Sequence, residues 1–328
     1  MPTLPVTIEM IRAAAARIAP HAVATPLLEH PALNARVGGR VFLKCENLQR
    51  VGAFKFRGAY NKISQVDPKA FLGGVVACSS GNHAQGVAAA ATLIGLKSAI
   101  VMPADAPAMK IARTKAFGGE VVTYDRERED RDAIARAICA ERTAAYVHPF
   151  DDADVIAGQG TTGLEIMAEV ARRGVTLDAV LVNVSGGGLA SGITVAVKDA
   201  SPSTEIWTVE PAGFDDFARS LASGKPERNE RLSGSICDAL MAETPGELTL
   251  TIGKALMAGG VAVTDAEAAA AMRFAFEDLK LVVEPGGAAG LAAVLTGKVS
   301  AKGRAMAVVL SGGNADPAQY ARIINGEI

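Results

Sequence analysis

The stretch AVLVNVSGGGLASG, residues 179–192, joins an apolar run to a glycine-rich turn and a segment of small residues. A near-continuous apolar run is typical of a strand that is buried on both faces of a parallel sheet. Similar runs, followed by alanine-rich helical patterns, recur as VFLKC (41–45), GVVACSS (74–80), SAIVMP (98–103), EVVTYD (120–125), EIWTVEP (205–211) and AMAVVLSGG (305–313). This alternation predicts an α/β fold with two domains, built from mostly parallel, twisted sheets that are flanked by helices.

The chain of 328 residues is long enough for about two domains. The block of residues 72–149 contains several short strand–helix units of its own. We predict that this block is a small α/β domain, and that it is inserted into a large domain made of residues 1–71 and 150–328.

Two helical segments have recognisable ends. NHAQGVAAAATLIG, residues 82–95, should end at Gly95, because glycine accommodates the left-handed conformation that commonly follows the last helical turn. TDAEAAAAMRFAFEDLK, residues 264–280, should begin with a capping box in which Thr264 and Glu267 each bind the other's backbone amide.

Composition and charge exclude several classes of protein. The net charge is −2, so the chain has no overall basic field that would recruit nucleic acid. Apolar residues make up 49% of the chain, yet no run is long enough to cross a bilayer, and the amphipathic N-terminal pattern is not that of a signal peptide. Four cysteines without a CxxC pair favour reduced thiols. We therefore expect a cytoplasmic protein that binds neither nucleic acid nor membrane.

The loop SGGGL, residues 185–189, follows a predicted strand and precedes a predicted helix. Consecutive glycines let backbone N–H groups turn inward, and the helix adds the positive end of its dipole, so this arrangement suits a phosphate. The loop lacks the lysine of a P-loop and departs from the GxGxxG spacing, which favours a phosphate monoester over a nucleotide. The alternative is a tight turn that needs small residues.

The segment GAFKFRG, residues 52–58, places Lys55 between two phenylalanines and near Arg57. Removal from water and a nearby positive charge both favour the neutral amine, which is a nucleophile. The alternative is an exposed lysine on an amphipathic segment.

Two more loops follow predicted strands, which is where parallel sheets bind ligands. SSGNH, residues 79–83, precedes a helix, so its hydroxyls and backbone amides suit an anion such as a carboxylate. The alternative is an ordinary helix cap, and His83 would by default lie on the helix surface. SGGN, residues 311–314, presents the hydroxyl of Ser311 as a neutral hydrogen-bond partner, or it is a simple turn.

The segment EPAGFDD, residues 210–216, brings Glu210, Asp215 and Asp216 within a short loop. Hard divalent cations take carboxylate and carbonyl oxygens from such loops. Acidic residues at a helix N-terminus also interact favourably with the helix dipole. Both interpretations stay open on the sequence.

A lysine available for covalent chemistry, a monophosphate cradle, an anion-binding loop and a neutral hydroxyl suit one kind of cofactor. That cofactor carries an aldehyde and one phosphate. It is pyridoxal phosphate, held as a Schiff base.

The motifs resemble, in order and over nearly the whole chain, those of the serine/threonine dehydratases and serine racemases. These are pyridoxal-phosphate enzymes of the tryptophan-synthase-β fold, or fold type II. The motifs that carry the resemblance are ENLQRVGAFKFRGAYNKI (46–63), SSGNHAQGVA (79–88), HPFDDADVIAGQGT (148–161), SGGGLASG (185–192), VEPAGFDD (209–216), EPGGAAGLAA (284–293) and SGGN (311–314).

The resemblance implies a set of cofactor contacts. Lys55 would form the Schiff base and later act as acid and base at the substrate Cα. Asn82 would bind the ring hydroxyl, Ser311 would face the pyridine nitrogen, and Glu284 would lie near the cofactor. The phosphate would be held by Ser185, Gly186, Gly187, Gly188 and Leu189.

The resemblance also implies substrate and cation contacts. Ser80 would handle the proton on the opposite face of the substrate. The substrate carboxylate would be bound by Ser79, Ser80, Asn82 and His83. A divalent cation, which would be Mg, Ca or Mn, would be bound by Glu210, the backbone carbonyl of Phe214, and Asp216. A homodimer or homotetramer is implied as well.

The implied reaction is the α,β-elimination of water from L-threonine or L-serine, which gives an α-keto acid and ammonia. The alternatives are serine racemase or 3-hydroxyaspartate dehydratase activity on the same fold, and a catalytically silent ligand-binding protein. A nicotinamide-binding protein is disfavoured because GxGxxG does not follow the first strand. Two positions depart from the pattern, since many relatives have serine at Ala53 and some racemases have asparagine at Phe150. The chain stops shortly after residues 311–314, so we expect no C-terminal regulatory domain.

Overall fold

The computed structural model describes residues 4–79, 81–125 and 127–328. The strands in the described part are β1 (Leu27–Glu29), β2 (Arg40–Cys45), β3 (Val75–Cys78), β4 (Ser98–Pro103), β5 (Glu120–Tyr124), β6 (Ala145–Tyr146), β7 (Ala179–Asn183), β8 (Glu205–Pro211), β9 (Gly259–Val263) and β10 (Ala305–Leu310). The helices there are α1 (Ile8–Ile18), α2 (Pro31–Val37), α3 (Lys55–Ile63), α4 (Asn82–Ile94), α5 (Ala108–Ala116), α6 (Arg131–Arg142), α7 (Ala153–Arg172), α8 (Gly188–Ala200), α9 (Asp216–Ser223), α10 (Glu247–Leu256), α11 (Asp265–Glu277), α12 (Pro285–Leu295) and α13 (Pro317–Ile324).

The strands form two sheets. The larger sheet has the order β1-β2-β10-β7-β8-β9, and its neighbours are parallel apart from β1, which runs antiparallel to β2. The smaller sheet has the order β5-β4-β3-β6 and its pairings are parallel. The predicted α/β fold with mostly parallel sheets is confirmed, and the antiparallel edge strand β1 is an addition to it.

The four strands of the smaller sheet follow one another in the chain, from Val75–Cys78 to Ala145–Tyr146. The strands of the larger sheet come from both sides of that block. On this basis we propose the division into a small inserted domain of residues 72–149 and a large domain of residues 1–71 and 150–328.

Helices cover both faces of the larger sheet because its central strands are apolar on both sides. Along β7, Leu181 packs in one hydrophobic cluster with α12, whereas Val180 packs in another with α8. Helix α12 is buried from Pro285 to Val294. The carboxyl end of β7 leads into α8, which is buried from Gly188 to Val197.

Helices α7 and α8 approach each other closely at a pair of glycines. A β-carbon on Gly160 would lie only 2.8 Å from the carbonyl oxygen of Gly192, so larger residues would force the helices apart. Helix α7 also packs against α3. It therefore fixes the start of α8 relative to the helix that begins with Lys55.

Both predicted helix ends are confirmed in kind. Helix α4 ends at Ile94, and Gly95 follows it with φ of 80°. Helix α11 begins with the capping box of Thr264 and Glu267, although it stops at Glu277 rather than at residue 280. Among the described residues, no helix is both long enough and apolar enough to span a membrane.

Candidate active site

Lys55 is the first residue of α3, and its side chain is half-buried. Its Nζ donates a hydrogen bond to the backbone carbonyl of Pro149 at 2.6 Å and lies 5.2 Å from the centre of the Phe54 ring. Burial lowers the pKa of Lys55 from its ordinary 10.5 to about 8. The interpretation of Lys55 as an exposed lysine is therefore wrong, and its lowered pKa favours the neutral amine.

Arg57 does not act on Lys55 in the way that the sequence suggested. Its guanidinium donates to Glu46 at 2.7 and 2.8 Å and to Glu165 at 2.6 and 2.9 Å. Because two carboxylates offset its charge, the low pKa of Lys55 comes from burial and not from a neighbouring cation.

The segment before Lys55 is tied to the end of β10. Ala53 pairs with Gly312 in an antiparallel bridge, and the Phe54 N–H donates to the carbonyl of Ser311 at 3.2 Å. Two motifs that lie far apart in the sequence, GAFKFRG and SGGN, are thereby brought side by side. Ala53, where many relatives have serine, is fully buried.

The glycine loop after β7 has room for backbone but not for side chains. A β-carbon on Gly186 would overlap the Phe150 ring, and one on Gly187 would overlap the Phe217 ring. Gly187 also has φ of 97°, a left-handed conformation that favours glycine. Gly188 begins α8, whose first N–H groups have no partner within the helix. Such a cradle fits a phosphate group.

Ser185 begins the loop and has a proton to give. Its hydroxyl oxygen accepts a hydrogen bond from the Ala242 N–H at 3.1 Å, which leaves the hydroxyl proton free to point elsewhere. On the other side of the loop, the Gly186 carbonyl accepts from the Thr249 hydroxyl at 2.7 Å. These contacts fix the orientation of the loop backbone.

Ser311 lies at the carboxyl end of β10 and is only 5% exposed. Asn183 donates to its hydroxyl oxygen at 3.0 Å, and the Asn183 carbonyl oxygen accepts from the Gly290 N–H at 2.6 Å. Because Ser311 already accepts from an amide, its own proton is available to a neutral acceptor. Asn183 is not among the site residues that the motifs predict. The signal was a polar residue that ends an otherwise apolar strand.

Asn82, the first residue of α4, belongs to a chain of hydrogen bonds. It donates to Glu284 at 2.6 Å and accepts from Asn314 at 2.8 Å, and Arg113 donates to Asn314 at 2.6 Å. Burial and, to a lesser degree, the charge of Asp238 raise the pKa of Glu284 to about 7, although the hydrogen bond from Asn82 opposes them. One N–H of the Asn82 amide remains for a ligand.

His83 is buried, so the expectation of a surface histidine is wrong. Its Nε2 lies 3.0 Å from the Val147 carbonyl and must therefore donate to it. Burial, together with the charge of Lys55, lowers the pKa of His83 to about 3, and the ring stays neutral. Its Nδ1 is thus an acceptor, and the ring has no N–H left to donate to a substrate carboxylate. Only the backbone N–H of His83 could donate to that carboxylate.

Of the other residues in the SSGNH loop, the structure describes Ser79 and Gly81. The Ser79 hydroxyl oxygen accepts from the Gly81 N–H at 3.1 Å. Ser80 lies outside the residues that the structure describes, so its expected role stays a prediction.

The acidic loop after β8 forms a helix cap. The two oxygens of Glu210 accept from the N–H groups of Phe217 and Ala218, at 2.9 and 2.8 Å, in the first turn of α9. Asn229 donates to one oxygen of Asp216 at 2.6 Å, while the other oxygen is buried with no partner among the described residues.

Burial raises the pKa of both carboxyl groups, to about 6 for Asp216 and well above the ordinary value for Glu210. An unpartnered oxygen beside a second buried carboxylate fits a cation. However, no cluster of three or more His, Cys, Asp or Glu ligands occurs in the described part of the chain. The capping interpretation is thus seen directly, and the cation remains a proposal.

A half-buried lysine, a glycine cradle and a neutral hydroxyl together define a site that fits a phosphorylated aldehyde. Over residues 18–312 the chain matches the family described as pyridoxal-phosphate dependent enzyme, and it belongs to that family. It is therefore a pyridoxal-phosphate enzyme of the group that contains ammonia-lyases and amino-acid racemases, with the fold type II architecture.

Three relatives illustrate the range of that group. L-threo-3-hydroxyaspartate ammonia-lyase of Saccharomyces cerevisiae is 40% identical over 311 residues, which cover 95% of this chain and 94% of that protein. L-threonine ammonia-lyase of Thermotoga maritima is 42% identical over 301 residues, which cover 92% of this chain and 74% of that protein. The structure of maize serine racemase has a TM-score of 0.91 and 38% identity, and the match covers 98% of each chain.

Proposed function

We propose that this protein is an ammonia-lyase that removes water from a small hydroxy amino acid, L-threonine or L-serine, to give an α-keto acid and ammonia. The observation that carries the proposal is the half-buried Lys55, which lies at the start of α3 beside the end of β10 and has a pKa lowered to about 8. The intact lysine and the complete glycine loop argue against a catalytically silent ligand-binding protein.

The cofactor would be held at three points. Ser185, Gly186, Gly187, Gly188 and Leu189 would bind its phosphate through the loop and the start of α8. Asn82, supported by Glu284, would bind its ring hydroxyl with the amide N–H that the structure leaves over. Ser311 would donate to its ring nitrogen. When bound, pyridoxal phosphate supplies a conjugated ring that accepts electrons from the substrate Cα.

Lys55 would act as the base that removes the Cα proton. The Pro149 carbonyl accepts from Nζ and so directs the lone pair of the neutral amine. Low exposure to water lowers the pKa of Lys55, so a larger fraction of its amine is neutral and able to accept a proton at a given pH. In the elimination, the Cα–H and Cβ–O bonds break, water leaves, and the unsaturated amine hydrolyses to the keto acid and ammonia.

Ser311 would favour elimination over racemisation. A hydroxyl does not stabilise positive charge on the ring nitrogen as a carboxylate would. Electron withdrawal from Cα is then weaker, and departure of the β-hydroxyl competes better with return of the proton.

The substrate carboxylate would be bound at the N-terminus of α4. The backbone N–H groups of Asn82 and His83 open that helix, where an anion is favoured. The hydroxyls of Ser79 and Ser80 would complete the contacts. Ser80 would also serve the opposite face of Cα, which is why serine racemase activity is a second candidate.

A third candidate is 3-hydroxyaspartate ammonia-lyase activity, and the position of Lys110 favours it. The Lys110 ammonium lies 3.9 Å from the point where a β-carbon on Gly81 would stand, beside the proposed carboxylate loop. It forms an ion pair with Asp238. A substrate with a second carboxylate would find a cation there. The relative from Saccharomyces cerevisiae carries this activity in its name.

The family resemblance further supports three proposals about the assembled enzyme. A divalent cation, which would be Mg, Ca or Mn, would be bound by Glu210, the Phe214 carbonyl and Asp216. The protein would be a homodimer or homotetramer. It would work in the cytoplasm.

Lys55→Ala tests the central assignment. The purified wild-type protein should be yellow when loaded with pyridoxal phosphate and should release keto acid from L-threonine or L-serine. Lys55→Ala should lose the lysine-dependent visible absorbance and at least about a thousandfold of the rate, since both covalent capture and proton removal depend on this amine. Retention of the wild-type spectrum and rate by Lys55→Ala would disprove the assignment. Two further assays separate the three candidate activities. One measures keto acid release from L-threo-3-hydroxyaspartate, and the other measures D-serine formation from L-serine.

A further inference from the structure

Gln159 is a buried glutamine whose side-chain amide has no hydrogen-bond partner among the described residues. It lies in α7, within the motif HPFDDADVIAGQGT, and is 0% exposed. In the part of the chain that the structure describes, neither its Nε2 nor its Oε1 has a hydrogen-bond partner. Buried polar groups are almost always paired, so this amide points to a missing ligand or water.

The amide lies between the glycine loop and the lysine helix. A β-carbon on Gly188 would lie 2.7 Å from Oε1 of Gln159, and one on Gly58 would lie 3.0 Å from its Nε2. Gly188 is the first residue of α8, and Gly58 is one turn beyond Lys55 in α3. The close packing of α7 against both helices leaves the amide little freedom to move away from this position.

A primary amide is suited to an anion at this place. It carries two N–H donors, and a turn of the last side-chain bond exchanges its two ends, so the donors can face the glycine loop. Hydrogen bonds to a charged phosphate are stronger than those between neutral groups. The first-turn N–H groups of α8 offer donors to the same anion from the other side.

We propose that Gln159 is a phosphate-binding residue, and that its side-chain amide donates to the phosphate monoester held by the glycine loop, directly or through one ordered water. The proposal rests on the proposed function, because it assigns a further contact to the same cofactor site.

The test compares two forms of the cofactor that differ only in the phosphate. The full chain is freed of cofactor, and the dissociation constants of pyridoxal phosphate and pyridoxal are measured by absorbance titration. Gln159→Met removes the amide and keeps the volume. We expect it to weaken pyridoxal phosphate binding about tenfold to a hundredfold, and to leave pyridoxal binding unchanged. Thermal protection of the cofactor-free protein by inorganic phosphate should fall in parallel.

The same variant should raise the melting temperature of the cofactor-free protein, because an apolar side chain replaces an unpaired amide. Thr162→Val is the matched control. Thr162 lies in the same helix, is buried, and has a hydroxyl with no partner among the described residues. It should keep the wild-type preference for pyridoxal phosphate over pyridoxal.

Equal weakening of both ligands by Gln159→Met, or no weakening of either, would overturn the proposal. If that variant does not fold, wild-type protein with ¹⁵N-labelled glutamine side chains decides the question. Inorganic phosphate should then shift one slowly exchanging side-chain amide resonance, and the absence of any shift would overturn the proposal. Failure of the wild-type protein to bind pyridoxal phosphate would instead disprove the proposed function itself.

Discussion

At the scale of single residues, the reactivity of Lys55 is a consequence of where α3 begins. The lysine precedes the buried part of that helix, and its Nζ has a backbone carbonyl, that of Pro149, as its hydrogen-bond partner. A carbonyl carries no full charge, so it orients the ammonium without compensating for the loss of water. The neutral amine is favoured for that reason alone.

The amine of Lys55 should titrate near pH 8 in the cofactor-free protein. The sign follows from burial: the charged form is disfavoured, so the nucleophilic form accumulates as pH rises through about 8 instead of through the ordinary 10.5. Labelling by an amine-selective reagent, followed by peptide mass spectrometry from pH 6 to 10, measures this directly. Exposed Lys69 is the control in the same sample.

For the loaded enzyme, the same amine predicts that kcat rises with pH as Lys55 loses its proton and then levels off, because the neutral amine is the base that removes the Cα proton. If Lys55 and Lys69 are labelled with the same pH dependence, burial is not what activates Lys55.

At the scale of elements, the first turn of α9 shows why one acidic loop supports two interpretations. Glu210 accepts from two N–H groups of that turn, so it caps the helix whatever else it does. Asp216 is the first residue of the helix, and its unpartnered oxygen gives the pair a second use. A cation would offset two buried carboxylates whose charges otherwise oppose each other.

Removal of divalent cations should therefore destabilise the wild-type protein. A strong chelator should lower its melting temperature by several degrees, which corresponds to about 1 kcal/mol or more, and magnesium should restore it. Asp216→Asn should make the protein insensitive to the chelator, whereas Asp215→Asn, which alters a partly exposed carboxylate paired with Arg219, should not. Equal melting temperatures of the wild-type protein with and without chelator would leave Glu210 with the helix cap as its only role.

At the scale of the whole molecule, the sequence predicts secondary-structure elements better than it predicts which distant residues contact one another. Apolar runs and glycine loops are local, so the strands, the carboxyl-end loops and the position of Lys55 could be read from them. The bridge between Ala53 and Gly312 could not, because it depends on the parallel pairing of β10 with β2. Nor could the burial of His83, since only the packing of α4 decides which of its faces meets solvent.

The ion-pair cluster of Arg57 was also beyond the reach of the sequence. Arg57 and Glu46 are both 0% exposed, and Glu165 reaches the same guanidinium from α7. Lys44 of β2 completes the cluster through Glu165. The cluster joins β2, α3 and α7, which come from distant parts of the chain, and Arg57 lies two residues from Lys55. It therefore stabilises the fold at the place where the reactive amine is positioned.

Loss of Arg57 should destabilise the protein because it leaves the buried Glu46 carboxylate without a cation. Burial raises the pKa of Glu46, but the charge and hydrogen bonds of Arg57, together with Lys44 and Thr25, outweigh that effect and keep the pKa below its ordinary value. Arg57→Met leaves the buried Glu46 carboxylate without its main partner. Removal of one member of a buried ion pair lowers the free energy of unfolding by about 3–5 kcal/mol. Urea unfolding of the cofactor-free protein at pH 7 measures the loss.

The ion pair of exposed Arg172 with partly exposed Glu169 supplies the comparison, since Arg172→Met should leave the urea midpoint nearly unchanged. The double variant Arg57→Met/Glu46→Gln removes both charges, so it should recover part of the lost stability. The cost of Arg57→Met should also shrink as pH falls towards the range where carboxyl groups take up protons, because a protonated Glu46 no longer needs a cation. If Glu46→Gln destabilises Arg57→Met by as much as it destabilises the wild-type protein, the two side chains do not stabilise the fold as a pair.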